Sequence, residues 1–151
     1  MDDYSVISTK VSHEARGRLK AICEKYGFEV DPKKKIYTMS VSEKQTVEIL
    51  KVLYRGAQLL ILDEPTAGLD PKSHHDILLK IEKIKKEGGV TILLVSHNMG
   101  DVARLADRVL VMDGGRLWMN GTPQQVFSRA EELSEIGLGL PPATEFMYRL
   151  K

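Results

Sequence analysis

Apolar residues recur at three- and four-residue steps early in the chain, where Val11, Ala15, Leu19, Ile22 and Tyr26 trace one face of a helix over residues 10 to 26. Asp31-Pro32-Lys33-Lys34-Lys35 breaks that pattern. A second helix is predicted from about 41 to 55. Its start is legible because Ser40 and Glu43 have the spacing of a capping box, in which a hydroxyl and a carboxylate each satisfy an orphan amide. The period then changes. Leu59-Leu60-Ile61-Leu62 runs into Asp63-Glu64-Pro65, and Val90-Thr91-Ile92-Leu93-Leu94-Val95 runs into Ser96-His97. Apolar runs without alternation predict strands covered on both faces, the habit of parallel sheets. Between them, Asp70-Pro71 supplies an N-cap and a first-turn proline, Ile77, Leu78, Ile81 and Ile84 form a stripe, and Gly88-Gly89 stops the helix. This is a βαβ unit, expected right-handed.

A helix from about Met99 to Ala106 is predicted next, then a strand at Val109–Met112, a tight turn at Gly114-Gly115 and a return strand at Leu117-Trp118-Met119. Thr122-Pro123-Gln124-Gln125 is a second capping-box start, leading into a short helix and a tail broken by Gly and Pro. The fold class expected is α/β, a three-layer and mainly parallel sheet with an N-terminal helical arm and a C-terminal β-hairpin. Residues 1–56 form the helical part of that expectation and 57–151 the α/β core.

Composition narrows the function classes. The 151 residues are 42% hydrophobic, enough for one domain with a core, and 22 Lys+Arg against 21 Asp+Glu remove the electrostatic warrant for a nucleic-acid partner. The lone Cys23 excludes an internal disulfide, and a reducing compartment fits. No apolar run approaches the roughly 20 residues that span a bilayer, and Met1-Asp2-Asp3 is the opposite of a basic signal-peptide opening. A cytoplasmic chain with no direct membrane insertion is expected.

Two carboxylates at the carboxyl end of a buried strand stand where ligands bind in open α/β sheets. Asp63 there can hold Mg²⁺, and Glu64 can polarise an attacking water, the division of labour that phosphoryl transfer needs. The alternative is that both cap the following turn, with Pro65 fixing it. His97 stands at the same edge of the next strand, where an imidazole can donate to a phosphate or orient a water; its alternative is a capping role beside Asn98. Two polar groups at equivalent strand ends favour a site over either alone.

The segment from Leu59 to Asp70 resembles the Walker B strand and D-loop of ABC transporter ATPases, and Leu94-Val95-Ser96-His97 resembles that family's switch-histidine strand. Met39-Ser40-Val41-Ser42-Glu43-Lys44-Gln45 sits where the family places its signature motif, and Val47 to Gly56 is similar to the helix after it. Residues from about 10 to 67 resemble sugar- or nucleoside-importer ATPases, while residues 101 to 151 resemble those of energy-coupling-factor importers; a chimera or recombinant and a divergent natural chain both fit that texture. The resemblance implies a P-loop NTPase-like fold and ATP with Mg²⁺ as cofactors. It also implies transporter membrane subunits and a second ATPase chain, or a homodimer, as partners, at a membrane-peripheral location. Asp63 would be the Mg²⁺-associated carboxylate, Glu64 the residue that activates water, and His97 the γ-phosphate switch. Asp70 would be the D-loop contact across a dimer, and Ser40 with Gln45 the signature contacts to nucleotide.

Departures from the family set limits. Val41 and Ser42 replace the two signature glycines, Glu43 adds negative charge, and Thr46 stands where an arginine usually follows the signature glutamine. No Gly-x-x-x-x-Gly-Lys-Ser/Thr phosphate loop occurs in these residues, so little ATP binding or hydrolysis is expected from this chain alone. In the family, the strand carrying that loop lies between the strands ending at His97 and at Met112. Either the sheet closes directly or another chain fills the gap. The rival expectation is a non-catalytic α/β domain serving folding or protein association. His74-His75 point apart on a helix and read as a solvated face. Lys33-Lys34-Lys35 and Lys80, Lys83, Lys85 and Lys86 read as exposed charge, and Trp118 and Phe127 as packing.

Overall fold

Three helices dominate the first half of the chain: α1 (His13–Tyr26), α2 (Val41–Tyr54) and α3 (Pro71–Glu87). The computed structural model describes residues 13–150; the first residues of the predicted opening helix, with Val11, and the acidic Met1-Asp2-Asp3 lie outside them. Each predicted start signal is used. Ser40 accepts from the Glu43 amide while the Glu43 carboxylate takes the Ser40 amide, closing the capping box of α2. Asp70 accepts from the amides of Lys72 and Ser73, with Pro71 in the first turn of α3. The three helices pack on one another through Tyr26, Ile49, Leu50, Leu53, Ile77, Leu78, Ile81 and Ile84, all buried. Ile77 and Ile84 are fully enclosed, and each such side chain contributes about 1.5–3 kcal/mol by leaving water. Arg18 adds a polar tie between α1 and α2: its guanidinium lies 4.9 Å from the centre of the Tyr54 ring and donates to the Tyr54 carbonyl at 3.3 Å.

Strands β1 (Leu59–Asp63) and β2 (Thr91–Val95) form a two-stranded sheet around α3. The Thr91 amide donates to the Gln58 carbonyl at 2.7 Å and the Glu64 amide to the Val95 carbonyl at 2.9 Å. Start bonds to start and end to end, so the pair is parallel, as the βαβ reading requires. Burial on both faces is not seen. Leu60 and Leu62 are buried, but Leu59 and Ile61 are 51% and 60% exposed, and Leu93 and Val95 are open to a similar degree. Successive side chains point to opposite faces of a strand, and one connecting helix covers one face only.

The second half contains α4 (Met99–Leu105), β3 (Val109–Asp113), β4 (Arg116–Gly121), α5 (Pro123–Phe127), α6 (Ala130–Glu135) and α7 (Pro142–Arg149). Gly114 and Gly115, both at positive φ, make the two-residue turn that joins β3 to β4 as an antiparallel hairpin. A register shift after Val111 sets Met112 opposite Leu117. That leaves Trp118 as the extra residue of a bulge, its ring 5.7 Å from the Arg129 guanidinium. Thr122 and Gln125 form the predicted capping box of α5. Val111, Met119, Val126, Phe127 and Leu133 form the core here, with Met99, Val102, Ile136 and Leu138 packed against it. The tail after α5, read from sequence as broken by Gly and Pro, carries two short helices, α6 and α7, on either side of that break. Leu133 of α6 is buried, and that burial supplies the stability which so short a helix lacks on its own. Direct closure of one sheet is not observed: β1–β2 and β3–β4 are separate two-stranded sheets, and β2 is not a hydrogen-bonded neighbour of β3.

The described residues divide into two compact units. One takes the residues up to Leu60 with Pro65–Leu93, the other Ile61–Glu64 with Leu94 onward. Among the described residues no helix is long and apolar enough to cross a membrane.

Urea unfolding followed by circular dichroism tests this distribution of core. Ile84→Ala, at a position with no exposure, lowers stability by about 2–5 kcal/mol. Ile61→Thr, on the open face, stays within about 0.5 kcal/mol of the parent. Equal losses at the two positions would contradict the open face of β1.

Candidate functional site

The parallel pairing of β1 and β2 brings their carboxyl ends side by side. Glu64, one residue beyond β1, spends its amide on the Val95 carbonyl and turns with φ +44°, the one positive φ outside glycine among the described residues. A left-handed glutamate costs about 1–3 kcal/mol and persists only where surrounding contacts fix it. Here those contacts come from the end of β2. Glu64 Oε1 accepts from the His97 amide at 2.8 Å and meets His97 Nδ1 at 2.6 Å. Ser96 Oγ reaches Oε2 at 3.5 Å, the outer limit of a hydrogen bond.

Burial works against ionisation of Glu64, but the His97 side-chain and amide donors outweigh it and hold the carboxyl below its ordinary value. An ionised carboxylate only accepts, so the proton between the pair belongs on Nδ1, and the exposed ring turns Nε2 outward. The capping role weighed for His97 falls to Asn98, whose side chain accepts from the Gly100 and Asp101 amides at the start of α4. Asp63, the last residue of β1, is exposed. Asp63, Glu64 and His97 thus stand at one sheet edge, as their strand-end positions predicted, with an acceptor carboxylate held beside an imidazole.

The remaining sequence candidates lie in the other compact unit and are engaged locally. Ser40 Oγ accepts from the Glu43 amide at 3.2 Å and lies 3.1 Å from Ser42 Oγ, and its own amide donates to Glu43 Oε2 at 2.7 Å. Lys34 Nζ donates to Glu43 Oε1 at 2.6 Å. Lys34, grouped by sequence with exposed charge, is only partly exposed and neutralises Glu43 at the start of α2. The Lys34 and Ser40 bonds pull the Glu43 carboxyl down to about 2. The Ser73 hydroxyl, with the Ser73 and Lys72 amides, likewise holds Asp70 below the usual carboxylate range. Gln45 sits one turn into α2, half-buried.

Sequence reasoning missed three participants. Ser96 was passed over beside His97. Lys34 carried no periodic signal. Lys80, also grouped with exposed lysines, is half-buried and donates to Thr46 Oγ1 at 3.0 Å. Its signal was available, because position 80 lies three residues after Ile77 and four before Ile84, on the edge of the apolar stripe.

This geometry can be set beside known proteins. Residues 2–67 match the family model described as ABC transporter. The energy-coupling factor transporter ATP-binding protein EcfA2 of Clostridium perfringens is 42% identical over 140 residues, which are 91% of this chain and 49% of that protein. Its counterpart from Clostridium tetani is 47% identical over 115 residues, 76% of this chain and 40% of the relative. Among solved structures, cbiO1 from Clostridium perfringens, described as part of the ABC transporter complex cbiONQ, superposes with a TM-score of 0.71 at 32% identity. That match covers 96% of this chain and 58% of the other. The chain carries part of an ABC transporter ATPase domain, similar to those of energy-coupling factor transporters. It spans about half the length of the curated relatives it matches.

The depressed Glu43 carboxyl gives a signed pH dependence. Its folded value, about 2, lies below the ordinary 4.5, so the unfolded chain binds more protons between them. Its contribution to stability is therefore complete above about pH 4.5 and is lost as pH falls toward 2. Urea midpoints measured from pH 6 to pH 2.5 fall less steeply for Glu43→Gln than for the parent. Parallel curves would contradict the Lys34–Glu43 and Ser40–Glu43 bonds.

Proposed function

We propose that this chain supplies the Walker B, switch-histidine and signature segments of an ATP-hydrolysing domain in an energy-coupling-factor-type importer, with little or no hydrolysis of its own. The observation that carries this reading is the Glu64–His97 contact at 2.6 Å across the carboxyl ends of two parallel strands. In such a site Glu64 accepts the proton of the attacking water, the His97 ring faces the terminal phosphate, Ser40 and Gln45 contact nucleotide held by a second ATPase chain, and Asp70 contacts that chain across the dimer.

The donors present fit Mg²⁺ in part. Asp63 is an exposed hard-oxygen ligand at the strand end, and Mg²⁺ commonly takes one or two carboxylates together with substrate phosphates. Bound there, the ion supplies neutralisation of phosphate charge. The phosphate-cradling loop does not occur in these 151 residues. The reading therefore requires that loop, and the strand before it, from polypeptide outside them, and it places the assembly at transporter membrane subunits on the cytoplasmic side.

A non-catalytic α/β domain serving protein association is the second reading. What favours it is that Ser40 and Asp70, the groups meant for nucleotide and for the contact across a dimer, are already used as helix caps by their own chain. Calorimetric titration with Mg-ATP separates the two. The chain alone gives no micromolar binding. Binding appears when a separately expressed segment of a homologous ATPase carrying Gly-x-x-x-x-Gly-Lys-Ser/Thr is added. Absence of binding with that segment supports the second reading, and micromolar binding by the chain alone overturns the requirement for an external loop. In the complemented assembly Glu64→Gln abolishes phosphate release, by about a hundredfold or more as for loss of a general base. An unchanged release rate removes Glu64 from the mechanism.

A further inference from the structure

We infer that Lys80 is a positioning residue, fastening the first turns of α2 to α3 through Thr46. Thr46 is 2% exposed and shares the buried face of α2 with Ile49, Leu50 and Leu53. Its hydroxyl has one proton, which goes to the Ser42 carbonyl at 2.8 Å. The oxygen accepts from Lys80 Nζ at 3.0 Å. An ammonium only donates and the hydroxyl proton is already placed, so the relay from Lys80 through Thr46 to Ser42 has a single direction.

Burial pushes the Lys80 ammonium below its ordinary value, and the carboxylates of Asp76 and Glu29 oppose that push. Lys80, Thr46 and Ser42 all lie within one compact unit. The segment so fixed holds Ser40, Ser42 and Gln45, and α3 begins at Asp70. The positioning role rests on the proposed nucleotide contacts of those residues, whereas the tie itself does not.

Amide hydrogen exchange on the full 151-residue chain tests the tie. Lys80→Met accelerates exchange of the Gln45 and Thr46 amides by about tenfold or more, the loss expected for a hydrogen bond to a charged group. The Leu53 and Ile84 amides, deeper in the same core, change by no more than about twofold. Lys80→Arg holds the parent pattern. If Lys80→Met does not fold, Thr46→Val against Thr46→Ser reads the same contact, with Val accelerating and Ser preserving. Parent-like exchange in Lys80→Met or Thr46→Val overturns the inference, as does loss of protection in Lys80→Arg. Failure of the nucleotide reading is separate: Mg-ATP in the complemented assembly would then leave the Ser40 and Gln45 amide resonances unmoved, whatever the exchange data show.

Discussion

The parallel register of β1 and β2 fixes everything at the candidate hydrolytic edge. Two bonds define it, one from Thr91 to Gln58 and one from Glu64 to Val95. The second commits the Glu64 backbone to the end of β2, and the left-handed turn at φ +44° then carries its side chain onto the His97 amide and ring. A slip of one residue would turn the alternate side chains to the opposite face and part the pair. The strain at Glu64 is held because the same short segment, Ser96 to Asn98, supplies donors to the carboxylate and then caps α4.

A shared electrostatic habit runs through the candidate residues. Glu64 is met by His97, Glu43 by Lys34 and the Ser40 amide, and Asp70 by the first amides of α3. Each of these carboxylates is held by donors of its own chain. The negative charge of Glu43 at the start of α2 is neutralised where it stands, because Lys34 sits against it. Lys80, on α3, sits against Thr46 of α2 in the same way.

Much of the fold was legible because its signals are local. Capping boxes at Ser40 and Thr122, the Asp70-Pro71 start, and the Gly114-Gly115 turn depend on dihedral preferences and hydrogen bonds within a few residues. The βαβ unit followed from a change in hydrophobic period. Glu64 and His97 were legible as strand-end polar groups, though neither their contact nor the backbone turn that makes it was. The exposed face of β1 and β2 was not legible, since an apolar run records that burial is available and not which neighbours provide it.

The sequence by itself determined the elements, their caps, the order of the polar groups along the chain and the ABC ATPase resemblance. Only tertiary structure decided which polar groups meet: Glu64 with His97 across 33 residues, Lys34 with Glu43, and Lys80 with Thr46 across 34. The physical reason is separation along the chain. A capping bond is set by three consecutive peptide units, whereas a pair such as Glu64–His97 or Thr46–Lys80 exists only once packing has brought its two elements together.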